Sequence, residues 1–229
     1  EKTLHDDYTY RDFLNGNAEV EGRPLNSFFS YEFTGLDPKN GAPTFARIGE
    51  EEWDTYMNMT NDEVCLTVMN YSGCRVPYLQ GGISNTIGYG NFVLSCNFAY
   101  SIGSKVRLLK LYNNVSSNTP APQPMQNIRR EMVNRWKVSG DERRTNIPAL
   151  LSDSDYAATM TPWWRNETFN FGKNIWEMYN YSDIRVVSGN YLKLQNLNLR
   201  YNVPADICKR MGLASCYLSF STSNLFTWC

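Results

Sequence analysis

Acidic residues are the first candidates for chemistry, because two suitably spaced carboxylates can cleave a glycosidic bond by acid and base catalysis. The available carboxylates are Glu50, Glu51, Glu52, Asp54, Asp153 and Asp155. They occur in charged, polar stretches, where solvation alone accounts for them. The sequence has no G-x-S-x-G, P-loop, H-E-x-x-H or dinucleotide-binding glycine motif. Its one histidine, His5, makes a Ser/His/Asp triad a poor expectation. We therefore predict no enzyme and no bound cofactor.

Six cysteines form the second chemically distinctive group. None are spaced C-x-x-C, and with one histidine in the chain no zinc site is predicted. Cys65 with Cys74, or Cys208 with Cys216, could pair in an oxidising compartment. Cys96 and Cys216 are in phase with apolar residues of predicted strands, where a thiol acts as a small hydrophobe. Both interpretations stay open.

Two adjacent tryptophans, Trp163 and Trp164, are the sharpest candidates for binding. An aromatic pair in an exposed segment can stack on a sugar or dock a second protein, since aromatic side chains dominate such contacts. The alternative is that the two indoles pack their own segment onto itself. We predict them as candidate contacts for a substrate or for a protein lid.

Charge and composition exclude some classes of function. The chain has 22 basic and 23 acidic residues and a net charge of -1, whereas proteins that bind duplex nucleic acid show a clustered basic surface. Hydrophobic residues make up 42% of the chain and aromatic residues 14%, which is too apolar for a disordered protein. No apolar run approaches the roughly 20 residues of a membrane helix. Nucleic acid is therefore not an expected partner.

The main structural signal is alternation between apolar and polar residues. From Phe92 to Gly103 it is almost unbroken, and this length meets the roughly 9–11 residues that a tilted strand needs to cross a bilayer. Later segments repeat the pattern from residue 196 to 203 and from residue 216 to 223. Shorter alternation occurs at residues 28–33, and a weaker strand is predicted around Val64, Leu66 and Val68. The polar faces fit water or a polar lumen, although a soluble antiparallel sheet with one wet face has the same period.

Connections between these segments are short, long and short in turn. Gly88–Asn91 is a tight turn and residues 204–214 form a connection of about ten residues. Between them, residues 103–190 form a long connection that holds Ile128, Met132 and Trp136 at helical spacing. Outer-membrane barrels alternate short periplasmic turns with long external loops. The order thus predicts an external loop at 103–190 that contains short helical pieces.

Several short motifs occur in the order found in one transporter family. Ser188–Leu197 is similar to its G-S-Y-L-R-L-K-N-hydrophobic run, and Leu199–Pro204 to the strand end L-x-Y-x-hydrophobic-P. The other matches are G-L-D-P-K-N-G at 35–41, G-G-I at 81–83 with Y-G-N-F at 89–92, N-R-W at 134–136 with I-P at 147–148, and N-L-F-T-W at 224–228. In this set the chain resembles the SusC/RagA-type TonB-dependent transporters.

That resemblance implies a location in the outer membrane of a Gram-negative, Bacteroidetes-like cell. It also implies a barrel of about 22 strands with a plugged lumen, a SusD-like surface lipoprotein over the barrel, energy delivered by TonB, and import of oligosaccharides or peptides. The plug and the terminal strands find no match in residues 1–229. We therefore expect the whole chain to be one part of an all-β, antiparallel, transmembrane barrel domain that is incomplete here.

The barrel interpretation predicts which face of the strands contacts lipid and which face contacts the lumen. The residues predicted to face lipid are Phe92, Leu94, Phe98, Tyr100, Leu197, Leu199, Tyr201, Leu218 and Phe220. The residues predicted to face the lumen, where they would contact substrate, plug or water, are Asn97, Asn196, Asn198, Arg200, Asn202, Tyr217 and Ser219. The competing interpretation is a secreted β-sandwich that binds glycans.

Overall fold

The computed structural model describes residues 8–47, 53–56, 58–112, 127–151 and 175–229. This part of the chain is mostly β, with ten strands and five short α-helices. It divides into two compact units: the first comprises Glu1–Arg75 with Val106–Val187, and the second Val76–Lys105 with Ser188–Cys229. Among the described helices, none has the length and apolar character needed to span a membrane.

The strands are β1 Ser27–Tyr31, β2 Phe33–Leu36, β3 Pro43–Phe45, β4 Met69–Cys74, β5 Leu79–Tyr89, β6 Phe92–Ile102, β7 Lys105–Arg107, β8 Val186–Ser188, β9 Tyr191–Asn202 and β10 Tyr217–Trp228. The helices are α1 Tyr10–Asn15, α2 Trp53–Tyr56, α3 Asn61–Val68, α4 Ile175–Asn180 and α5 Ala205–Arg210. Short 3₁₀ turns lie at Arg130–Asn134, Asp141–Arg143 and Asp183–Arg185.

Aromatic packing holds the first unit together. One cluster joins α1, β1, α3 and α4, and in it Phe13 meets Phe29 edge to face at a ring distance of 5.7 Å. A second cluster surrounds Trp176, whose indole lies 4.4 Å from the ring of Tyr112. β1 pairs antiparallel with β4, and β2 pairs with β3. All five residues of β1 are buried, so this strand has no wet face, contrary to the alternation predicted at residues 28–33.

The predicted strand around Val64, Leu66 and Val68 is wrong, because these residues lie in α3. Thr60 caps the helix by accepting from the backbone N–H of Glu63, and the Glu63 carboxylate accepts from the Thr60 N–H. This reciprocal capping box satisfies two N–H groups that a helix start otherwise leaves unpaired. Val64 and Val68 lie one turn apart and are fully buried. A helix buried on one face thus explains an apolar spacing that resembles a strand.

The predicted external loop at residues 103–190 is more than a loop. Its described part includes β7, β8 and α4, and it supplies Met132, Trp136 and Trp176 to the second core cluster. The short helical pieces are present, but Ile128, Met132 and Trp136 do not form one helical face. The 3₁₀ turn ends at Asn134, and Ile128 is 51% exposed. Aromatic residues in this segment are buried against β2 and β3 and are not exposed to solvent.

Four long strands build the second unit in the order β10-β9-β6-β5, each antiparallel to its neighbour. β5 and β6 are joined by the two-residue turn Gly90-Asn91, and Gly90 has a φ of +57°. That left-handed conformation is what a tight hairpin turn requires. The connection from β9 to β10 holds α5 just after Pro204. The predicted strands and both short connections are confirmed.

The six cysteines are free. Neither pairing considered above, Cys65 with Cys74 or Cys208 with Cys216, is formed. Cys65 and Cys208 are buried, and Cys65 belongs to the first core cluster. These two thiols therefore act as small core hydrophobes.

Candidate functional site

Rows of polar side chains cross the four-stranded sheet on one face, which we call the polar face. β9 is the central strand: Asn198 pairs with Ser95 of β6 and with Ser221 of β10. Asn196, two residues earlier, pairs with Asn97 and Ser223. β5 extends both rows, since Thr86 pairs with Ser95 and Ser84 with Asn97. Alternation within each strand, combined with in-register pairing, therefore gathers amides and hydroxyls from four strands.

These rows enclose a shallow depression of about 340 Å³. Its lining residues are Ser95, Asn97, Asn196, Leu197, Asn198, Ser221, Thr222 and Ser223. Each asparagine amide offers two N–H donors and one carbonyl acceptor, and each hydroxyl both donates and accepts. No charged side chain is among the lining residues. The depression can therefore form hydrogen bonds with an uncharged polar solute or with ordered water.

Towards the Pro204 end of β9, the polar face becomes cationic and aromatic. Arg200 pairs with Val93 and Ser219 on the two neighbouring strands, and its guanidinium lies 3.9 Å from the centre of the Tyr217 ring. Such a cation–π contact orients the guanidinium along the sheet surface. Asn202 pairs with Tyr217 at the end of the strand. All seven residues predicted to face the lumen thus lie on one face of one sheet.

The opposite face, which we call the apolar face, carries continuous rows of hydrophobic side chains. One row runs Ile87, Leu94, Leu199 and Phe220 across all four strands, and in a second row Phe92 stacks on Tyr201 at 4.8 Å. Leu94 is 36% exposed, Leu199 42% and Phe220 66%. Neither buried core cluster includes these residues. All nine residues predicted to face lipid lie on this face.

A β-bulge in β9 keeps the two faces chemically distinct along the whole strand. Asn97 and Phe98 of β6 pair with Asn196 and Leu194, so Gln195 is an extra residue. Without it, Leu194 and Leu192 would fall on the polar face, because one residue of slip exchanges the faces. With it, they join the apolar rows beside Phe98 and Tyr100.

Sequence reasoning missed one contribution to this sheet, the bulge, which breaks the simple period of two. The tight turn predicted at Gly88–Asn91 already implies a strand before β6, and that strand is β5. Ile83 and Ile87 of β5 extend the apolar face, and its Ser84 and Thr86 extend the polar face. At Gly81 the absent side chain leaves room for the Tyr100 ring.

Other predicted site residues have different outcomes. Trp163 and Trp164 lie outside the described residues. Across the described ranges, no cluster of three or more His, Cys, Asp or Glu side chains could hold a metal ion.

Comparison with known proteins adds a family likeness to this geometry. No protein-family profile matches the sequence. The chain is 23% identical over 226 residues to "TonB-dependent receptor P3" of Formosa agariphila, an alignment that covers 94% of this chain and 19% of that receptor. The chain therefore spans about one fifth of the length of the curated relative.

Solved structures of the RagAB peptide transporter share the fold. The first has a TM-score of 0.60 at 18% identity and aligns with 93% of this chain and 20% of its own. The open-open state of the RagAB peptide importer gives 0.54 at 20% identity, covering 91% and 19%, and the closed-closed state gives 0.55 at 18%, covering 91% and 20%. In sequence and fold, this chain is similar to one segment of the SusC/RagA-type TonB-dependent transporters.

Proposed function

We propose that the chain is a wall segment of an outer-membrane β-barrel that imports oligosaccharides or peptides. One observation carries this proposal: the four-stranded sheet has an exposed hydrophobic face directly behind a face of asparagine, serine and arginine. A barrel wall needs this division, because one side contacts hydrocarbon and the other contacts water.

A β-sandwich would use the same sequence period differently. Its two sheets would bury their apolar faces against each other in a layer about 10 Å thick. Exposed rows of Leu94, Leu199 and Phe220 do not fit that arrangement. Strands of 11 and 12 residues also match the roughly 9–11 residues that a tilted strand needs to span hydrocarbon. We therefore assign lipid as the environment of the apolar face.

The polar face supplies the solute contacts in this proposal. Amide and hydroxyl groups of Asn196, Asn198 and Ser221 can replace water around sugar hydroxyls or peptide groups as a solute moves along the wall. The solved relatives bear the name of a peptide importer, and the family resemblance also allows oligosaccharides. Trp163 and Trp164 remain proposed contacts for the solute or for a lid protein.

The proposed partners come from the same resemblance. A SusD-like lipoprotein would cover the barrel on the cell surface, and TonB would supply energy through a part of the parent protein beyond the matched fifth. Within the barrel, residues 1–229 would contribute wall strands and the aromatic first unit. In this proposal, neither the wall strands nor the first unit requires a cofactor.

Orientation of the sheet is tested by placing one arginine on each face of β9 in the full-length protein. Leu199→Arg places a charge on the apolar face, where we expect a cost of about 2–4 kcal/mol in bilayer stability. Asn198→Arg, one residue away on the polar face, is the matched control, for which we expect less than about 1 kcal/mol. The measurement is urea unfolding in phospholipid vesicles, monitored by the electrophoretic shift of folded barrels.

Equal effects of the two arginines would contradict the proposed orientation, and a larger cost at Asn198 would reverse it. Transport is tested separately. Uptake of labelled peptides and of labelled oligosaccharides by cells that depend on the full-length protein identifies the solute class, and loss of TonB should abolish either uptake.

A further inference from the structure

A second pocket lies in the first unit and shares no lining residue with the depression on the polar face. It has a volume of about 370 Å³ and is bordered by the turn after β2, by the residues that follow the 3₁₀ turn Arg130–Asn134, and by residues 149–151. Three of its lining residues are cations, namely Lys39, Arg135 and Lys137. Trp136 and Leu150 add an apolar wall. Among the described residues, no Asp or Glu lines the pocket.

Backbone hydrogen bonds fix the three segments that carry these cations. Lys39 lies in a turn closed by the Gly41 N–H, which donates to the Asp37 carbonyl at 2.7 Å. The Trp136 N–H donates to the Ile147 carbonyl at 2.9 Å, and the Ala149 N–H donates to the Gly41 carbonyl at 3.0 Å. Because all three segments are tied together, a ligand that binds between them would order little further backbone.

Trp136 forms a rigid base for the pocket. Its indole N–H donates to the Glu142 carboxylate at 3.2 Å, and Gly41 lies so close to the ring that a Cβ there would be 2.4 Å from it. A side chain held on both sides in this way cannot swing into the pocket. The space beside it therefore stays open.

Three described carboxylates near these segments accept backbone hydrogen bonds, and one of them, Asp37, accepts from the Lys39 N–H at 2.8 Å. Asp141 accepts from the backbone N–H groups of Lys137 and Val138 at 3.0 and 3.1 Å, and Glu142 also accepts from the Gly140 N–H at 2.8 Å. These hydrogen bonds lower the pKa of Asp141, so it stays ionised and lies near Lys137. Among the described residues, none of the three lining cations forms an ion pair within 4.0 Å.

We propose that this pocket binds an oxyanion group, such as a carboxylate, sulfate or phosphate, carried by a small solute whose apolar side contacts Trp136 and Leu150. Three cations that line one pocket attract a negative group, and arginine can bind an oxyanion through two parallel N–H donors. The site is distinct from the polar face, where no charged side chain lines the depression. It is a binding proposal and does not depend on transport.

The test is calorimetric titration of the full-length protein at low salt with glucuronate, glucose 6-sulfate and glucose 6-phosphate, with glucose as the uncharged control. We expect at least one charged sugar to bind and glucose not to bind, and the preference among the three identifies the oxyanion. The triple variant Lys39→Gln, Arg135→Gln, Lys137→Gln should lower the affinity about tenfold or more. Raising the salt should weaken binding, because screening acts on partly exposed charges.

The matched control is Arg130→Gln, Arg143→Gln, Arg144→Gln, which removes the same charge from exposed positions of the same segment outside the pocket. It should change the affinity less than threefold. Equal losses in the two triple variants would show a general charge effect and overturn the proposal, as would charged sugars that bind no better than glucose. If the pocket variant does not fold, Lys137→Gln alone must still weaken binding. Arg135→Lys, which keeps the charge but loses the two parallel N–H donors, must also weaken it.

Discussion

At the scale of single residues, one buried amide shows how the first unit compensates for missing regular structure. Asn180 is 1% exposed, and its carbonyl oxygen accepts from the backbone N–H groups of Leu111 and Tyr112 at 2.8 and 3.2 Å. Its NH₂ donates to the Tyr112 carbonyl at 2.9 Å. Buried backbone groups outside a sheet or helix need such partners. Residues that appear merely polar in the sequence can therefore be part of a core.

At Gly41 an added methyl group would meet the ring of Trp136, which a hydrogen bond to Glu142 holds in place. The φ of Gly41 is +69°, and a Cβ would lie 2.4 Å from the Trp136 ring. Gly41→Ala should therefore destabilise the protein by about 2–4 kcal/mol, combining a left-handed conformation with overpacking. Gly22→Ala is the matched control: its φ is +74° with nothing within 4 Å, so only about 1 kcal/mol is expected. Urea unfolding monitored by tryptophan fluorescence compares them, and equal losses would contradict the proposed clash.

Cys65 predicts a specific dependence on alkaline pH. Burial, reinforced by the nearby Asp62 carboxylate, raises the pKa of its thiol from 9.0 to about 12. The unfolded chain releases this proton above about pH 9 while the folded chain keeps it, so the free energy of unfolding should fall between about pH 9 and 12. Cys65→Ala should make that fall less steep, although buried tyrosines such as Tyr179 will preserve part of it. Unfolding titrations at a series of pH values measure the slope; an unchanged slope would contradict the assignment.

At the scale of elements, the sequence predicts strands well where one face of the strand is apolar and the other is polar. β6 was predictable along its length, and β9 and β10 were predictable over residues 196–203 and 216–223, because apolar and polar residues alternate there. α3 was not, because only its capping residues Thr60 and Glu63 distinguish its two apolar positions from a strand. β1 lies where alternation was predicted at residues 28–33, but it is buried on both faces, so the sequence indicated the strand and not its surroundings. Of the candidate sites, the polar face could be predicted, but the cationic pocket could not, since its segments meet only in the fold.

The bulge at Gln195 allows a test of an element by a single deletion. Removing Gln195 should exchange the faces of Leu192 and Leu194 relative to β6, which exposes both leucines on the polar face and Lys193 on the apolar face. We expect assembly of the full-length protein in the outer membrane to fall at least tenfold. Gln195→Ala keeps the extra residue and should assemble normally. Membrane fractionation with detection of the folded form measures both, and normal assembly of the deletion would contradict the role of the bulge.

At the scale of the whole molecule, two units follow different rules of stability. The first buries side chains from distant parts of the chain, such as Tyr10 and Met178, in one cluster. Sequence periodicity cannot reveal such contacts, because they depend on the path of the chain and not on local spacing. The second exposes its apolar rows and relies on backbone hydrogen bonds between strands. Exposed apolar area of this extent indicates a surface that something must cover.

Hydrogen exchange tests how the sheet continues. β5 and β10 are the edges of the described sheet, so each has one row of backbone groups without a strand partner there. In the 229-residue chain alone, in detergent, amides of β5 and β10 should exchange at least tenfold faster than those of β6 and β9. In the full-length protein the difference should vanish, because further strands pair with both edges. Persistent fast exchange in the full-length protein would show that the sheet does not continue into a barrel.

A further irregularity lies in β10, opposite the bulge at Gln195. Where β6 passes directly from Asn97 to Phe98, β9 inserts Gln195, and β10 inserts Asn224 and Leu225, with Asn224 at a φ of +54°. At this position across the sheet, β6, β9 and β10 thus contain zero, one and two extra residues. A bulge bends its strand, so extra residues that increase in number from strand to strand curve the sheet towards one side. The direction in which this wall would turn towards closure is therefore encoded in three adjacent strands.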